Sequence, residues 1–209
     1  MSQTVRGSGN PRLWIVAGPN GCGKSSAYDR SDVDEFGGSV WIINPDLLTV
    51  RLREVEALSQ RDANLAAVQR IETWLDASIG AQQTVGVETV LSTDKYRRLV
   101  RKAKAADFEI RLIYVFVRSP EIQLDRIRLR VSKGGHGVPE DKVRERRQRS
   151  FDQLTWFFHH ADAAWLLDNS DAEPELVAEK KAGEAWLGPG LLPELRERLL
   201  APIEREKGF

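Results

Sequence analysis

The chain has 209 residues, with 31 basic and 31 acidic side chains and a formal net charge of zero. That balance removes the global positive field of a general nucleic-acid binder, so any basic function must be local. The length suits one large α/β domain, and a single cysteine, Cys22, excludes an internal disulfide and fits a reducing cytoplasm. Residues 1–10 read as a loose polar arm with no signal-peptide core. The longest apolar run beyond it, Leu112 to Val117, is too short to span a bilayer, so no membrane partner is expected.

The first strong signal is the apolar run Leu13-Trp14-Ile15-Val16-Ala17, which predicts a buried parallel strand. It leads into Gly18-Pro19-Asn20-Gly21-Cys22-Gly23-Lys24-Ser25, which meets the P-loop pattern G-x-x-x-x-G-K-[ST] at every defined position. In such a loop the glycines let backbone N–H groups turn inward around phosphate oxygens, and the following helix adds its positive end. Gly18, Asn20, Gly21, Cys22, Gly23, Lys24, Ser25 and Ser26 are therefore the expected nucleotide-binding residues, with Lys24 on the β/γ-phosphates and Ser25 on Mg²⁺. Cys22 is either a reactive thiol or a small residue tolerated inside the loop.

A short helix from Ser25 to about Arg30 and a surface loop over 31–38 come next. A second strand, 40–43, ends in Asn44-Pro45-Asp46, where the proline suits the first position of a helix. Helices are predicted over about 46–59 and 62–79. A third strand, 84–87, delivers Glu88 and Thr89 at its end. Then follow a basic amphipathic helix over 93–106, a strand over 108–117 and a helix over 121–131. Residues 132–139 hold three glycines and a proline and must form a loop. A long helix over 141–160, a strand over 163–167, a weak edge strand near 176–180 and a helix over about 192–200 complete the chain. Alternating strands and helices imply a mostly parallel sheet of five to six strands with helices on both faces, in one domain over residues 11–209 with a lid around 131–141. Ligands in such sheets bind beyond the carboxyl ends of the strands. Gly18, Asp46 and Glu88 all fall there.

Phosphoryl transfer needs a carboxylate to take the proton of the attacking hydroxyl, and Asp46 is the first candidate. The alternative is that Asp46 only complements a helix dipole, a role worth ~0.3–1 kcal/mol. Glu88 sits inside an apolar-flanked run and would be costly to bury unpaired, so it faces the site or a basic partner, with Thr89 beside it. Residues 126–149 carry nine basic side chains against Glu140, Asp141 and Glu145. Arg126 and Arg130 share a helix face. Arg144 and Arg147 lie on the stripe that runs through Phe151, Leu154 and Phe158, and their end of it is expected to emerge at the site while Arg146 and Arg149 point elsewhere. Arg126, Arg130, Arg144 and Arg147 are thus the expected phosphate clamps, flanking a hinged lid. His136 in that lid is a candidate contact to substrate, though a lone loop histidine often has no such role. The six tryptophans read as core. The run Leu112–Val117 ends in Arg118 and not in the strand-end acid usual in motor and remodelling ATPases, with Asp168 left as a substitute.

Taken together, Ala17–Ser25, Ile43-Asn44-Pro45-Asp46, Val87-Glu88-Thr89-Val90-Leu91-Ser92 and Arg130–Pro139 in this order resemble the zeta toxin family of P-loop kinases, over about residues 11–170. The resemblance implies an ATP- and Mg²⁺-dependent kinase acting on a small-molecule hydroxyl, in the cytoplasm. The aspartate matching Asp46 would be the base, the acid matching Glu88 would hold substrate, and arginines flanking the lid would contact phosphates. It further implies UDP-N-acetylglucosamine or a related nucleotide-sugar as acceptor, a toxin role, and an antitoxin protein as partner. The competing reading is a nucleotide-dependent module that binds nucleic acid or a partner through the 126–149 basic segment, marked by steep salt dependence.

Overall fold

In the computed structural model, which describes residues 9–28, 42–135 and 137–202, the apolar run before the phosphate loop is strand β1 (Arg12–Ala17), buried on both faces. The elements that follow are α1 (Lys24–Tyr28), β2 (Ile42–Ile43), α2 (Pro45–Glu56), α3 (Gln60–Gly80), β3 (Val85–Thr89), α4 (Lys95–Ala105), β4 (Glu109–Phe116), α5 (Pro120–Ser132), α6 (Glu140–His160), β5 (Ala163–Asp168), β6 (Glu175–Lys181), β7 (Glu184–Leu187) and α7 (Pro193–Leu200). Among the described residues the strands form one sheet in the order β2-β3-β1-β4-β5-β6-β7. The first five in that row pair in parallel.

Period-two alternation along β1 explains how helices cover both faces. Leu13, Ile15 and Ala17 join a large core with Ile71 and Leu75 of α3, Leu99 and Val100 of α4, and Phe151 and Leu154 of α6. Trp14 and Val16 face the other way, into a second core with Cys22, Ala27 and Trp165. The result is a mostly parallel α/β sheet with helices on both sides. Helices α2 and α3 carry a small core of their own, Leu52 with Ala63 and Ala67, and insert between β2 and β3.

Two expectations need correction. The sheet has seven strands, not five to six, because β6 is continued by β7 in an antiparallel hairpin. Its two-residue turn, Ala182-Gly183, has φ of 51° and 85°. Two positive φ values suit a hairpin twist, but Ala-Gly lacks the Asn-Gly or Asp-Gly wording that announces one. The tryptophans are not all core: Trp14, Trp156 and Trp165 are buried, whereas Trp186 on β7 is 52% exposed. Residues 31–38, Val40 and Trp41 lie outside the described residues. No helix among those described is long and apolar enough to cross a membrane.

Candidate active site

The parallel register places the chemistry. β3 pairs directly with β1, setting Glu88 opposite Val16 and Thr89 opposite Ala17. The turn into the phosphate loop is fixed by Gly18 N donating to Thr89 O at 3.2 Å. Glu88 is thereby carried to the start of α1. Its Oε2 accepts from the Ser25 hydroxyl at 2.9 Å, and its Oε1 lies 3.9 Å from Lys24 Nζ. Lys24 Nζ also donates to Gly18 O at 3.0 Å. A carboxylate beside the phosphate loop is thus presented by β3, next to β1, and not by the end of β4. Asp168 is engaged elsewhere, accepting from Ser170 N at 2.9 Å and pairing with Arg118 Nε at 3.5 Å.

The loop itself requires glycine. Gly21 and Gly23 have φ of 76° and 79°, and a Cβ on them would come within 2.7 Å of Gln123 O and 2.5 Å of Asn169 Nδ2. Its carbonyls are held from outside: Gln123 Nε2 donates to Asn20 O at 2.6 Å, Asn169 Nδ2 to Cys22 O at 2.8 Å, and Arg126 Nη1 to Cys22 O at 3.4 Å. Gln123 and Asn169 escaped the sequence reading. Ser26 follows, exposed, on α1.

Cys22 is fully buried, and burial pushes its thiol pKa up. A buried sulfur in apolar surroundings is the inert kind, which favours the reading of Cys22 as a small residue tolerated inside the loop. We expect a chromogenic disulfide reagent to leave Cys22 untouched in the native protein and to titrate one thiol after denaturation. Rapid native reaction would show that the loop opens.

Asp46 stands in the first turn of α2, whose N-cap is Asn44. The Asn44 side chain accepts from Asp46 N at 2.9 Å and Leu47 N at 3.2 Å, and Pro45 occupies the first helical position. Asp46 is exposed and lines a cleft of about 440 Å³. Lys24 and Glu88 line it beside the phosphate loop, Asp46 lines it from the start of α2, and Thr93, Lys95, Arg146 and Arg149 are among its other lining residues. Thr89 lines it too, but its hydroxyl is used to accept from Leu91 N at 3.0 Å.

The arginine expectation is reversed on α6. Ser150 Oγ donates to Val90 O at 2.7 Å and pins α6 against the chain leaving β3. Arg146 and Arg149, three apart and so on one helix face, both line the cleft. Arg147 is on the apolar stripe and follows it inward. It is 6% exposed, and its guanidinium donates to Val117 O at 2.8 Å, Gln123 Oε1 at 2.9 Å and Arg118 O at 3.2 Å. Arg144 is exposed and bonds to Glu121 at 3.1 Å and Glu140 at 2.9 Å. Neither lines the cleft. Arg126 backs the phosphate loop, also donating to Ser170 O at 3.3 Å. Arg130 lies exposed at the end of α5, its stem against Gly135. His136 falls outside the described residues. Much of the positive charge of this segment is matched locally: Arg128 with Asp125 at 2.9 Å, Lys142 with Glu145 at 2.8 Å, Arg149 with Glu145 at 3.4 Å.

Fold and loop together define the class: this is a P-loop NTPase-like α/β protein. The sequence profile of the AAA domain family matches residues 13–154, and the chain belongs to that family. Over 144 residues it is 27% identical to an uncharacterized protein of Haemophilus influenzae, a match covering 65% of this chain and 96% of that relative. A chain of the AvrRxo1-ORF1:AvrRxo1-ORF2 complex is similar in structure, with a TM-score of 0.70 at 18% identity, covering 92% of this chain. The match spans 64% of that chain's length, less than two thirds. A structure from the PezAT chromosomal toxin-antitoxin system of Streptococcus pneumoniae gives a TM-score of 0.62 at 14% identity over 98% of this chain and 84% of that one. At the level of fold, the expected likeness to zeta-toxin-type P-loop kinases is borne out.

Proposed function

We propose that this chain is a kinase that moves the γ-phosphate of ATP onto a hydroxyl of a small molecule. The observation that carries the reading is the convergence of Lys24, Ser25 and Glu88 beside a cleft that Asp46 also lines. The loop amides and Lys24 would hold the β- and γ-phosphates. Asp46 would orient the acceptor hydroxyl and take its proton as the oxygen attacks the γ-phosphorus, releasing ADP. Arg146 and Arg149 take over the clamp role and offset charge on the transferring group. Ser25 Oγ and Glu88 Oε2, hard oxygen donors 2.9 Å apart beside the phosphate loop, fit Mg²⁺. When bound, the ion would neutralise phosphate charge. ATP as donor fits a cytoplasmic setting.

An AvrRxo1-ORF1:-ORF2 structure with ATP supports the choice of nucleotide. The PezAT relative and the zeta toxin resemblance together support a toxin role with an antitoxin partner, and UDP-N-acetylglucosamine as the first acceptor to try. The test is to incubate the full chain with labelled ATP and Mg²⁺, first with UDP-N-acetylglucosamine and then with a bacterial metabolite extract. A new phosphorylated product is expected. ATP binding with no product in either mixture would sink the enzyme reading.

In that assay Arg146→Ala should lower turnover on the order of 10²-fold, as loss of a donor aimed at developing charge does. Arg144→Ala breaks only exposed ion pairs and should stay within about twofold of wild type. The opposite ranking would restore the clamp expected from the stripe.

A further inference from the structure

Gln123 is fully buried near the start of α5, and both ends of its amide are used. Nε2 donates to Asn20 O at 2.6 Å, and Oε1 accepts from Arg147 Nη1 at 2.9 Å. Arg147 is in turn immobilised. Its guanidinium donates to Val117 O and Arg118 O at the end of β4, lies 3.8 Å from Glu194 of α7, and stacks 4.5 Å over the Phe151 ring. One peptide of the phosphate loop is thus tied to β4, α5, α6 and α7 through a single side chain.

Peptide planarity gives that tie a consequence. The Asn20 carbonyl and the Gly21 N–H belong to one trans peptide and point in opposite directions. A carbonyl pinned outward on Gln123 holds the Gly21 N–H inward, where a phosphate oxygen would sit. Gly21, at φ 76°, could otherwise rotate that peptide at little steric cost. The same logic applies to Asn169 on Cys22 O and the Gly23 N–H.

We propose that Gln123, braced by Arg147, is a positioning residue for the donor nucleotide: it aims the Gly21 amide at the phosphates and ties that aim to the two helices flanking residues 133–139. The proposal rests on the donor-site reading above. Replacing the amide leaves the Asn20 carbonyl unheld while every group near the phosphates keeps its identity.

The test is calorimetric titration of the full chain with Mg²⁺-ATP, alongside thermal melting. Wild type should bind. Gln123→Leu and Gln123→Glu should each weaken ATP binding about tenfold, the loss of one aimed bond from the Gly21 N–H to a charged phosphate oxygen. Gln123→Glu keeps the side-chain shape and the bond to Arg147 but cannot donate to Asn20 O when ionised, so it reads the contact even if Gln123→Leu fails to fold. Val143→Ala is the control. Val143 is buried between α5 and α6 with Leu124 and Ile127, so its loss should lower the melting temperature and leave ATP affinity within about twofold. In turnover, the Gln123 variants should raise KM for ATP and leave KM for the acceptor unchanged. A folded Gln123→Glu protein that binds ATP as wild type does overturns the proposal. Weakening by Val143→Ala equal to that by Gln123→Glu also overturns it, reducing Gln123 to a packing role. A wild-type protein that binds no ATP overturns the donor-site reading itself.

Discussion

Asp46→Asn is expected to lower phosphoryl transfer by roughly 10²–10⁴-fold, the usual size of a general-base contribution, while Mg²⁺-ATP binds as before. The separation follows from where Asp46 stands. It lines the cleft from the start of α2, whereas the donor side is built from β1, α1 and β3. Asparagine has the same shape and can still orient a hydroxyl by hydrogen bonding, but it cannot accept the proton. The helix should be untouched, because its cap is the Asn44 side chain and not Asp46. That matters for the rival role, in which Asp46 only complements the α2 dipole. Under that role the substitution costs ~0.3–1 kcal/mol of stability and turnover is unchanged. Single-turnover transfer measured beside a thermal melt distinguishes the two, and unchanged transfer with a lowered melting temperature would remove Asp46 from the chemistry.

Much of this arrangement was legible in the sequence because its signals are local. The glycine spacing from Gly18 to Gly23 needs particular backbone angles, Asn44-Pro45 is a cap followed by a first-turn proline, and each lies next to a short apolar run. Glu88 was legible for a related reason, being an acid in a buried strand that needs a partner. Besides Gln123 and Asn169, three things were not legible. The partner of Glu88 depends on β3 lying directly beside β1, and strand order is a tertiary fact. The hairpin strand β7 has four residues, mostly exposed, and a turn without the expected residues. The arginine reading failed for a third reason. Period 3.6 places Arg147 with Phe151, Leu154 and Phe158, but the stripe does not say how far burial extends along it. In the fold it extends through Arg147, whose charge is met by main-chain carbonyls, and the side that reaches the cleft is the one carrying Arg146 and Arg149.

Glu88→Gln carries the other large effect, and its pattern decides between two roles. The resemblance assigns the matching acid to the acceptor, whereas the geometry ties both Glu88 oxygens to the donor side, at Ser25 and Lys24. If Glu88 with Ser25 holds Mg²⁺, losing its charge should raise the Mg²⁺ concentration for half-maximal turnover by roughly 10–100-fold. Turnover at fixed low Mg²⁺ falls accordingly, and added Mg²⁺ restores much of it. KM for the acceptor stays within about twofold. If Glu88 holds the acceptor instead, that KM rises and the Mg²⁺ titration does not move. Lys24 supplies an internal check. Its ammonium is shared between Gly18 O and the Glu88 carboxylate, so neutralising Glu88 frees it toward phosphate. Metal-free ATP should therefore bind Glu88→Gln at least as tightly as wild type even while Mg²⁺-supported turnover drops. That change follows from the Lys24 contact under either role, so the deciding pair is the Mg²⁺ titration and the acceptor KM: a shifted titration with an unmoved KM marks a carboxylate that serves the ion, and the reverse marks one that holds the acceptor.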